Sequence, residues 1–107
     1  EQRLDIKIIV LNNGHLGLVR QQQSLFYEQN HQAVKFQQGI DFVMAARAMG
    51  VDGLDLGRSQ SPLEDLREAL QTSGPCVINL PICEQEMVLP MVPPGGANHE
   101  MIMEAGQ

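Results

Sequence analysis

The amino-acid sequence predicts an α/β fold, in which a parallel β-sheet carries helices on both faces. Residues 6–11 and 76–80 are almost wholly apolar and rich in β-branched side chains, which is typical of strands buried on both faces. Segments with helical periodicity lie between the strand patterns, and this alternation requires right-handed crossovers between parallel strands. The chain has 107 residues, the size of one compact domain.

The first strand, residues 6–11, ends at the turn Asn12-Asn13-Gly14. An Asn-Gly pair between two apolar runs is a strong signal for a β-hairpin. The residues after the turn nevertheless stop alternating, and side chains suited to one helix face recur at Leu16, Val19, Gln23 and Phe26. We therefore favour a strand, an Asn-rich turn and a helix over about residues 16–28.

The middle of the chain predicts a loop, a short helix and a short strand. Residues 30–39 are polar and irregular. Asp41 is placed to cap a helix that Gly50 ends. The apolar face of this helix is predicted to consist of Phe42, Ala45, Ala46 and Met49. Residues 51–56 alternate in polarity, which indicates a second strand.

A third helix is predicted to begin at Ser61-Pro62-Leu63-Glu64, which has the form of a capping box with proline at the first helical position. Leu63, Leu66 and Leu70 share one face, and we expect them to pack in the core. Gly74-Pro75 ends the helix before the last strand, residues 76–80. The predicted order of elements is β-α-α-β-α-β.

Three strands would leave the edges of such a sheet unpaired, and the chain opens at Glu1 directly before a strand. We therefore expect it to be a piece of a longer protein. Residues 83–107 form a separate tail rich in Pro, Gly and Met. The tail is expected to be ordered only where it lies against something, by closing over an active site or by packing on a neighbouring domain.

Composition argues against several classes of function. The formal net charge is -6 and no Lys/Arg cluster offsets it, which disfavours nucleic-acid binding. The apolar runs are too short for a membrane span, so we expect no membrane association and a cytoplasmic protein. Cys76 and Cys83 are interpreted as reduced packing residues. His99-Glu100 begins like a zinc-protease motif, but Met103 stands where the second His is required.

The turn at residues 12–15 is the best candidate for a binding site. Ligands of parallel α/β sheets bind at the carboxyl ends of the strands, and a helix N-terminus suits an anion such as a diphosphate. Asn side-chain and main-chain carbonyl oxygens suit Mg²⁺. By spacing alone, however, Asn-Gly as ordinary turn chemistry is the favoured interpretation.

Two separated motifs resemble one enzyme family. Residues 8–29, from the apolar strand through Asn12-Asn13-Gly14 to Ser24-Leu25-Phe26-Tyr27, resemble the second half of the thiamine-diphosphate motif in the catalytic subunit of acetolactate synthase (acetohydroxyacid synthase), with the bacterial isozyme I type as the nearest match. The stretch Pro90-Met91-Val92-Pro93-Pro94-Gly95 resembles the C-terminal tail of that family. The resemblance implies that residues 1–82 are the C-terminal half of a thiamine-diphosphate-binding domain.

The resemblance assigns the site residue by residue. Asn13 matches the Asn whose side-chain oxygen binds Mg²⁺, and His15 matches the residue whose backbone carbonyl completes the metal site. The cofactor-binding stretch corresponds to Asn13, Gly14, His15, Leu16, Gly17 and Leu18. The substrate pocket corresponds to Leu18, Val19 and Gln22, and Gln22 replaces a tryptophan that many members carry, which puts a strong preference for 2-ketobutyrate as second substrate in doubt.

The implied activity is decarboxylation of pyruvate and carboligation to a second 2-keto acid, which makes acetolactate or acetohydroxybutyrate for branched-chain amino-acid biosynthesis. The family carries thiamine diphosphate, Mg²⁺ and FAD, forms homodimers of catalytic subunits and has a small regulatory subunit. The aspartate of the family's Gly-Asp-Gly motif, which is the other metal ligand, and its catalytic glutamate match nothing in this sequence. We therefore expect no catalytic residue, no activity and no tight cofactor binding in this segment alone. The alternatives are a related carboligase, such as glyoxylate carboligase, and a non-catalytic α/β interaction module.

Overall fold

A computed structural model describes residues 2–104 of the chain. Its helices and strands are β1 (Lys7–Asn12), α1 (Gly17–Phe26), α2 (Phe42–Ala48), β2 (Asp52–Asp55), α3 (Pro62–Gln71) and β3 (Cys76–Pro81). Short 3₁₀ turns lie between β2 and α3, at Leu56–Arg58, and after β3, at Asn98–Glu100. The predicted order of elements and the α/β class are confirmed, and the turn after β1 leads into a helix rather than a hairpin.

The three strands form one parallel sheet in the order β1-β3-β2. In its register, Val10 of β1 and Asp55 of β2 both pair with Asn79 of the central strand β3. Ile78 on β3 is completely buried. The predicted burial of β3 is therefore confirmed, because a central strand has a neighbour on each side.

The described chain forms two compact units. Residues up to Asn13 and Gln38–Ile82 make the first unit, which contains the sheet, α2 and α3. Residues Gly14–Gln37 and those from Cys83 onward make the second unit, which contains α1 and the tail. Within residues 2–104, no helix combines the length and the apolar character that crossing a membrane requires.

In the first unit, α2 packs on β2 and β3. The Asp41 carboxylate accepts a hydrogen bond from the Met44 N–H at 2.8 Å, which confirms the predicted cap. The predicted apolar face is only partly right, because Val43 and Ala46 are the buried residues and Met49 is exposed. Val43 lies so close to the sheet that a Cβ at Gly53 would come within 2.8 Å of its Cγ1 atom.

Two predictions of burial are wrong for this chain. β1 was expected to be buried on both faces, but it is an edge strand, and Ile8 and Leu11 are 54% and 62% exposed. The leucine stripe of α3 was expected in the core, but Leu63 and Leu70 are exposed. α3 lies against the Leu56–Arg58 turn, which covers only part of its apolar face.

The start of α3 also differs from the prediction. The helix begins at Pro62 as expected, but the side chain of Ser61, a described residue, makes no capping hydrogen bond to it. The Ser59 hydroxyl instead donates to the Asp65 carboxylate and accepts from the Ser61 N–H at 3.1 Å. The Ser59 side chain therefore links the residue before the helix to Asp65 in its first turn, and it does not replace the cap expected of Ser61.

In the second unit, the side chain of Gln21 on α1 is only 4% exposed, and it forms hydrogen bonds with the tail. Its Nε2 atom donates to the Val88 carbonyl at 2.8 Å, and its Oε1 atom accepts from the Val88 N–H at 2.7 Å. Met91 and Ile102 exchange two backbone hydrogen bonds at 3.0 and 2.8 Å, so the tail folds back on itself. Cys83, at the start of the tail, is a free exposed thiol, which contradicts its predicted packing role.

Candidate functional site

The candidate site begins where β1 ends, at Asn12. Asn13 is the last residue of the first unit and Gly14 is the first residue of the second. Gly14 has a φ of 71°, a left-handed conformation that glycine adopts without the penalty paid by other residues. α1 follows at Gly17, so the segment connects the carboxyl end of a strand to the start of a helix as the sequence predicted.

In the first unit, a row of polar side chains crosses the carboxyl ends of all three strands. The Asn12 Nδ2 atom donates to the Asn79 Oδ1 atom at 3.1 Å. The Asn79 Nδ2 atom donates to the Asp55 Oδ1 atom, also at 3.1 Å. Sequence reasoning missed Asn79 and Asp55, although an Asn inside the apolar strand Cys76–Pro81 is a signal that could have pointed to this row.

In the second unit, an isolated antiparallel bridge between His15 and Lys35 holds the segment in place. The Leu16 N–H donates to the Val34 carbonyl at 2.8 Å, and the Phe36 N–H donates to the Gly14 carbonyl at 3.1 Å. These two bonds use backbone groups on either side of His15.

The donor set of this segment fits a magnesium diphosphate. Mg²⁺ prefers oxygen ligands and is usually held by one or two protein groups together with phosphate oxygens. Asn13 has a side-chain oxygen and His15 a main-chain carbonyl oxygen, both of a type that Mg²⁺ accepts as ligands. α1 is ten residues long, and its N-cap Leu16 has no polar side chain to cap the first-turn N–H groups. These N–H groups and the positive end of the helix dipole suit phosphate oxygens.

The three predicted substrate-pocket residues lie on the first two turns of α1, but they do not all line the same cavity. Val19 and Gln22 line a cavity of about 280 Å³, together with Gln23, Tyr27, Asn30 and Gln32. Leu18, which is 61% exposed, is not among the residues that line it. Four of these six side chains are amides, and the other two are Val19 and Tyr27.

A second cavity in the same unit, of about 680 Å³, is lined by most of its basic side chains, namely His15, Arg20, His31 and Lys35. Glu84 is the one acidic residue that lines it, and its Oε2 atom lies 3.8 Å from His15 Nε2 and 3.9 Å from Lys35 Nζ. The His15 side chain is 5% exposed. Its imidazole therefore lies against Glu84, next to the same carboxylate oxygen as Lys35. His31 is exposed as predicted.

The opposite end of the sheet carries a structural lysine. Lys7 Nζ donates to the Asp5 carboxylate at 2.8 Å and to the Thr72 carbonyl at 2.6 Å. The hydrogen bond and charge of Lys7 lower the pKa of Asp5. Burial raises the pKa of the nearby Cys76 thiol, and the charge of Asp52 adds to that effect while Lys7 opposes it. A thiol with a raised pKa is a poor nucleophile near neutral pH.

Comparison with known proteins gives a consistent family. Residues 1–80 match the family described as thiamine pyrophosphate enzyme, C-terminal TPP binding domain. The chain is 46% identical over 97% of its length to the acetolactate synthase isozyme 1 large subunit of Escherichia coli, and 37% identical over 94% to the isozyme 2 large subunit. It is 35% identical over 94% to the mitochondrial acetolactate synthase of Schizosaccharomyces pombe.

These relatives are much longer proteins. The chain spans 18%, 18% and 15% of their respective lengths. The resemblance to acetolactate synthase large subunits, isozyme I among them, is confirmed. The family match covers the turn that follows β1 and all of the sheet except its last residue, Pro81. The chain therefore belongs to the family of the C-terminal TPP-binding domain of thiamine pyrophosphate enzymes.

Proposed function

We propose that the chain is the C-terminal segment of an acetolactate synthase large subunit, in which residues 1–82 are half of the cofactor domain and residues 83–107 are the tail. The complete enzyme would decarboxylate pyruvate and join the product to a second 2-keto acid. The observation that carries this proposal is the 46% identity to the isozyme 1 large subunit across nearly the whole chain. The oxygen donors and the helix start after β1 support it.

Within this function, Asn13 and His15 hold Mg²⁺, through the side-chain oxygen and the backbone carbonyl respectively. Gly14, Leu16, Gly17 and Leu18 complete the stretch that receives the cofactor. The left-handed backbone of Gly14 supports this assignment, since a bulkier residue there would strain the turn. The start of α1 at Gly17 supports it as well, since the main-chain N–H groups at a helix N-terminus suit an anion.

In this proposal the residues of this chain bind and position the cofactor and the substrates. None of them is assigned a proton-transfer step. When bound, thiamine diphosphate supplies the electron sink that decarboxylation of a 2-keto acid requires. Leu18 and Val19 are apolar and exposed, and in the complete site they would help to exclude water from the reacting centre. Gln22 offers an amide to the polar end of the second keto acid. Catalytic acid–base groups would come from other parts of the complete protein.

The wider assembly follows from the same proposal. The names of the relatives from Escherichia coli distinguish a large subunit, which supports a separate small regulatory subunit as partner. We further propose a homodimer of large subunits, bound FAD and a cytoplasmic location. Pyruvate and other 2-keto acids would be the small-molecule partners, with no role for nucleic acid or membrane.

The test uses the complete protein that contains this chain. We expect it to form acetolactate from pyruvate with Mg²⁺ and thiamine diphosphate. We expect Asn13→Ala to raise the cofactor concentration needed for half-maximal activity by at least about tenfold, with a smaller change in rate at saturation, because the residue binds the metal and not the reacting carbon. The matched control is Asn98→Ala, at an exposed position in the tail.

Two results would count against this function. A complete protein that makes no acetolactate from pyruvate would remove the proposed reaction. An Asn13→Ala protein with the same cofactor affinity as the control would remove the metal-binding role. In addition, micromolar binding of the cofactor to the 107-residue chain by itself, measured by calorimetry, would contradict the view that this segment provides only part of the site.

A further inference from the structure

The polar row across the strand ends contains one group whose hydrogen-bonding direction is fixed by its chemistry. An ionised carboxylate only accepts hydrogen bonds, whereas an Asn amide has one end that donates and one that accepts. Asp55 accepts at its Oδ1 atom from the Gly57 N–H at 2.9 Å as well as from Asn79. Arg58 lies at its other oxygen, with 3.5 Å between Nε and Oδ2. Asp55 is thus held in place from both sides.

Because Asp55 can only accept, it fixes the orientation of two amide side chains, first that of Asn79 and then that of Asn12. Because Asn79 must turn its NH₂ group to Asp55, its oxygen faces Asn12. Asn12 must then turn its own NH₂ group to Asn79, so its side-chain oxygen points away from β3. Asn79 is only 8% exposed, and a reversed amide there would place two oxygens together at a buried position, which is costly.

A main-chain hydrogen bond also attaches Asn12 to the sheet. The Ile82 N–H donates to the Asn12 carbonyl at 3.0 Å. This carbonyl belongs to the planar peptide unit that ends at the Cα atom of Asn13. The side-chain bond to Asn79 and the main-chain bond to Ile82 therefore fix both the direction in which the chain leaves the sheet and the starting point of Asn13.

We propose that Asn79 is a positioning residue for the metal-binding turn, acting through Asn12, and that Asp55 sets its orientation. The inference rests on the proposed function, because it takes Asn13 as a ligand of the Mg²⁺ of the cofactor. Neither Asn79 nor Asp55 touches the metal or the substrate in this role. They hold the peptide before Asn13 in the orientation that binding requires.

The test is a charge swap in the complete protein. Asn79→Asp puts a carboxylate against Asp55 and removes the donor that joined them, so we expect the dissociation constant for Mg²⁺–thiamine diphosphate to rise by about tenfold or more. In the double variant Asp55→Asn with Asn79→Asp, the new carboxylate accepts from Asn12 and from the Nδ2 atom of the new amide at position 55. That Nδ2 atom replaces the oxygen that accepted from the Gly57 N–H, so this one bond is lost. The row regains its order of donors and acceptors, and the dissociation constant should fall to at least about threefold below that of Asn79→Asp.

A matched variant separates positioning from simple loss of stability. Gly53→Ala destabilises the same sheet through the contact with Val43 and leaves the polar row untouched. If the two variants lower the unfolding midpoint equally, Gly53→Ala should leave the dissociation constant for Mg²⁺–thiamine diphosphate near the wild-type value. Asn79→Asp should raise it. Deuterium exchange at the Ile82 amide should also be faster in Asn79→Asp and restored in the double variant.

The outcomes distinguish the two proposals. The positioning role is overturned if Asn79→Asp binds the cofactor within about twofold of the wild type, if the swap restores neither affinity nor exchange, or if Gly53→Ala weakens binding as much. Failure of the wild-type complete protein to bind Mg²⁺–thiamine diphosphate overturns the proposed function, and this inference with it. Normal wild-type binding with an unaffected Asn79→Asp variant overturns the positioning role alone.

Discussion

Gln21 offers a sharp test of how the tail is held in the second unit. In Gln21→Glu, a carboxylate oxygen replaces the Nε2 donor that lies 2.8 Å from the Val88 carbonyl oxygen. The bond from the Val88 N–H, now 2.7 Å long, can persist. Loss of the donated bond costs about 1 kcal/mol, and the buried carbonyl and carboxylate oxygens left facing each other add about 1–3 kcal/mol.

The expected total of roughly 2–4 kcal/mol corresponds to an increase of about 30- to 1,000-fold in the open population of the tail. Deuterium exchange of the Val88 amide measures that population directly. Burial and the facing carbonyl raise the pKa of the introduced carboxyl group. The protonated acid can donate again, so the ratio of variant to wild-type exchange should shrink as the pH is lowered.

Gln22→Glu is the control, because it adds the same charge one residue further along α1, where the side chain lines a cavity and is only half-buried. The reasoning fails if the exchange rate of Val88 at neutral pH is the same, within about threefold, in the two variants. It also fails if the effect of Gln21→Glu does not depend on pH. Either result would mean that the two hydrogen bonds between Gln21 and Val88 do not hold the tail.

Three further predictions concern the first unit. Gly53→Ala should lower the free energy of unfolding by about 1–3 kcal/mol in a urea titration, since the added Cβ would lie 2.8 Å from Val43 Cγ1. The pKa of Cys76 is raised above its ordinary value of 9.0 in the fold, so the folded state favours the protonated thiol. The stability that this thiol contributes is complete below pH 9.0 and is lost as the pH rises further. Less urea should therefore be needed to unfold the protein at alkaline pH. Lys7→Met should let the lowered pKa of Asp5 rise towards its ordinary value in an NMR titration, because Lys7 provides the two largest causes of the shift, its hydrogen bond and its charge. An unchanged pKa of Asp5 would contradict the observed pair.

The order and type of the elements could be predicted because they depend on local signals. The predicted start of α2 after Asp41 depends on a residue that bonds three positions along the chain. Burial could not be predicted in the same way, since the exposure of Ile8 and Leu63 depends on which elements cover them. An apolar strand in an edge position has the same sequence pattern as one in the centre of a sheet.

The candidate site was predictable in part for the same reason. The turn from Asn13 to His15 is a contiguous motif, and its place between a strand and a helix follows from periodicity. Asn79 lies 67 residues from Asn12 and 24 residues from Asp55, so a sequence pattern cannot show that they form one row. The link between Gln21 and Val88 spans 67 residues as well.

The exposed outer side of β1 has a consequence for handling the chain in the laboratory. Within the described residues, β1 pairs with β3 alone, so its other edge presents a series of backbone donors and acceptors beside the apolar side chains of Ile8 and Leu11. Natural proteins usually shield such an edge with charge, proline or a covering segment. When this chain is produced in isolation, strand-to-strand association between copies should therefore limit the concentration at which it stays monodisperse.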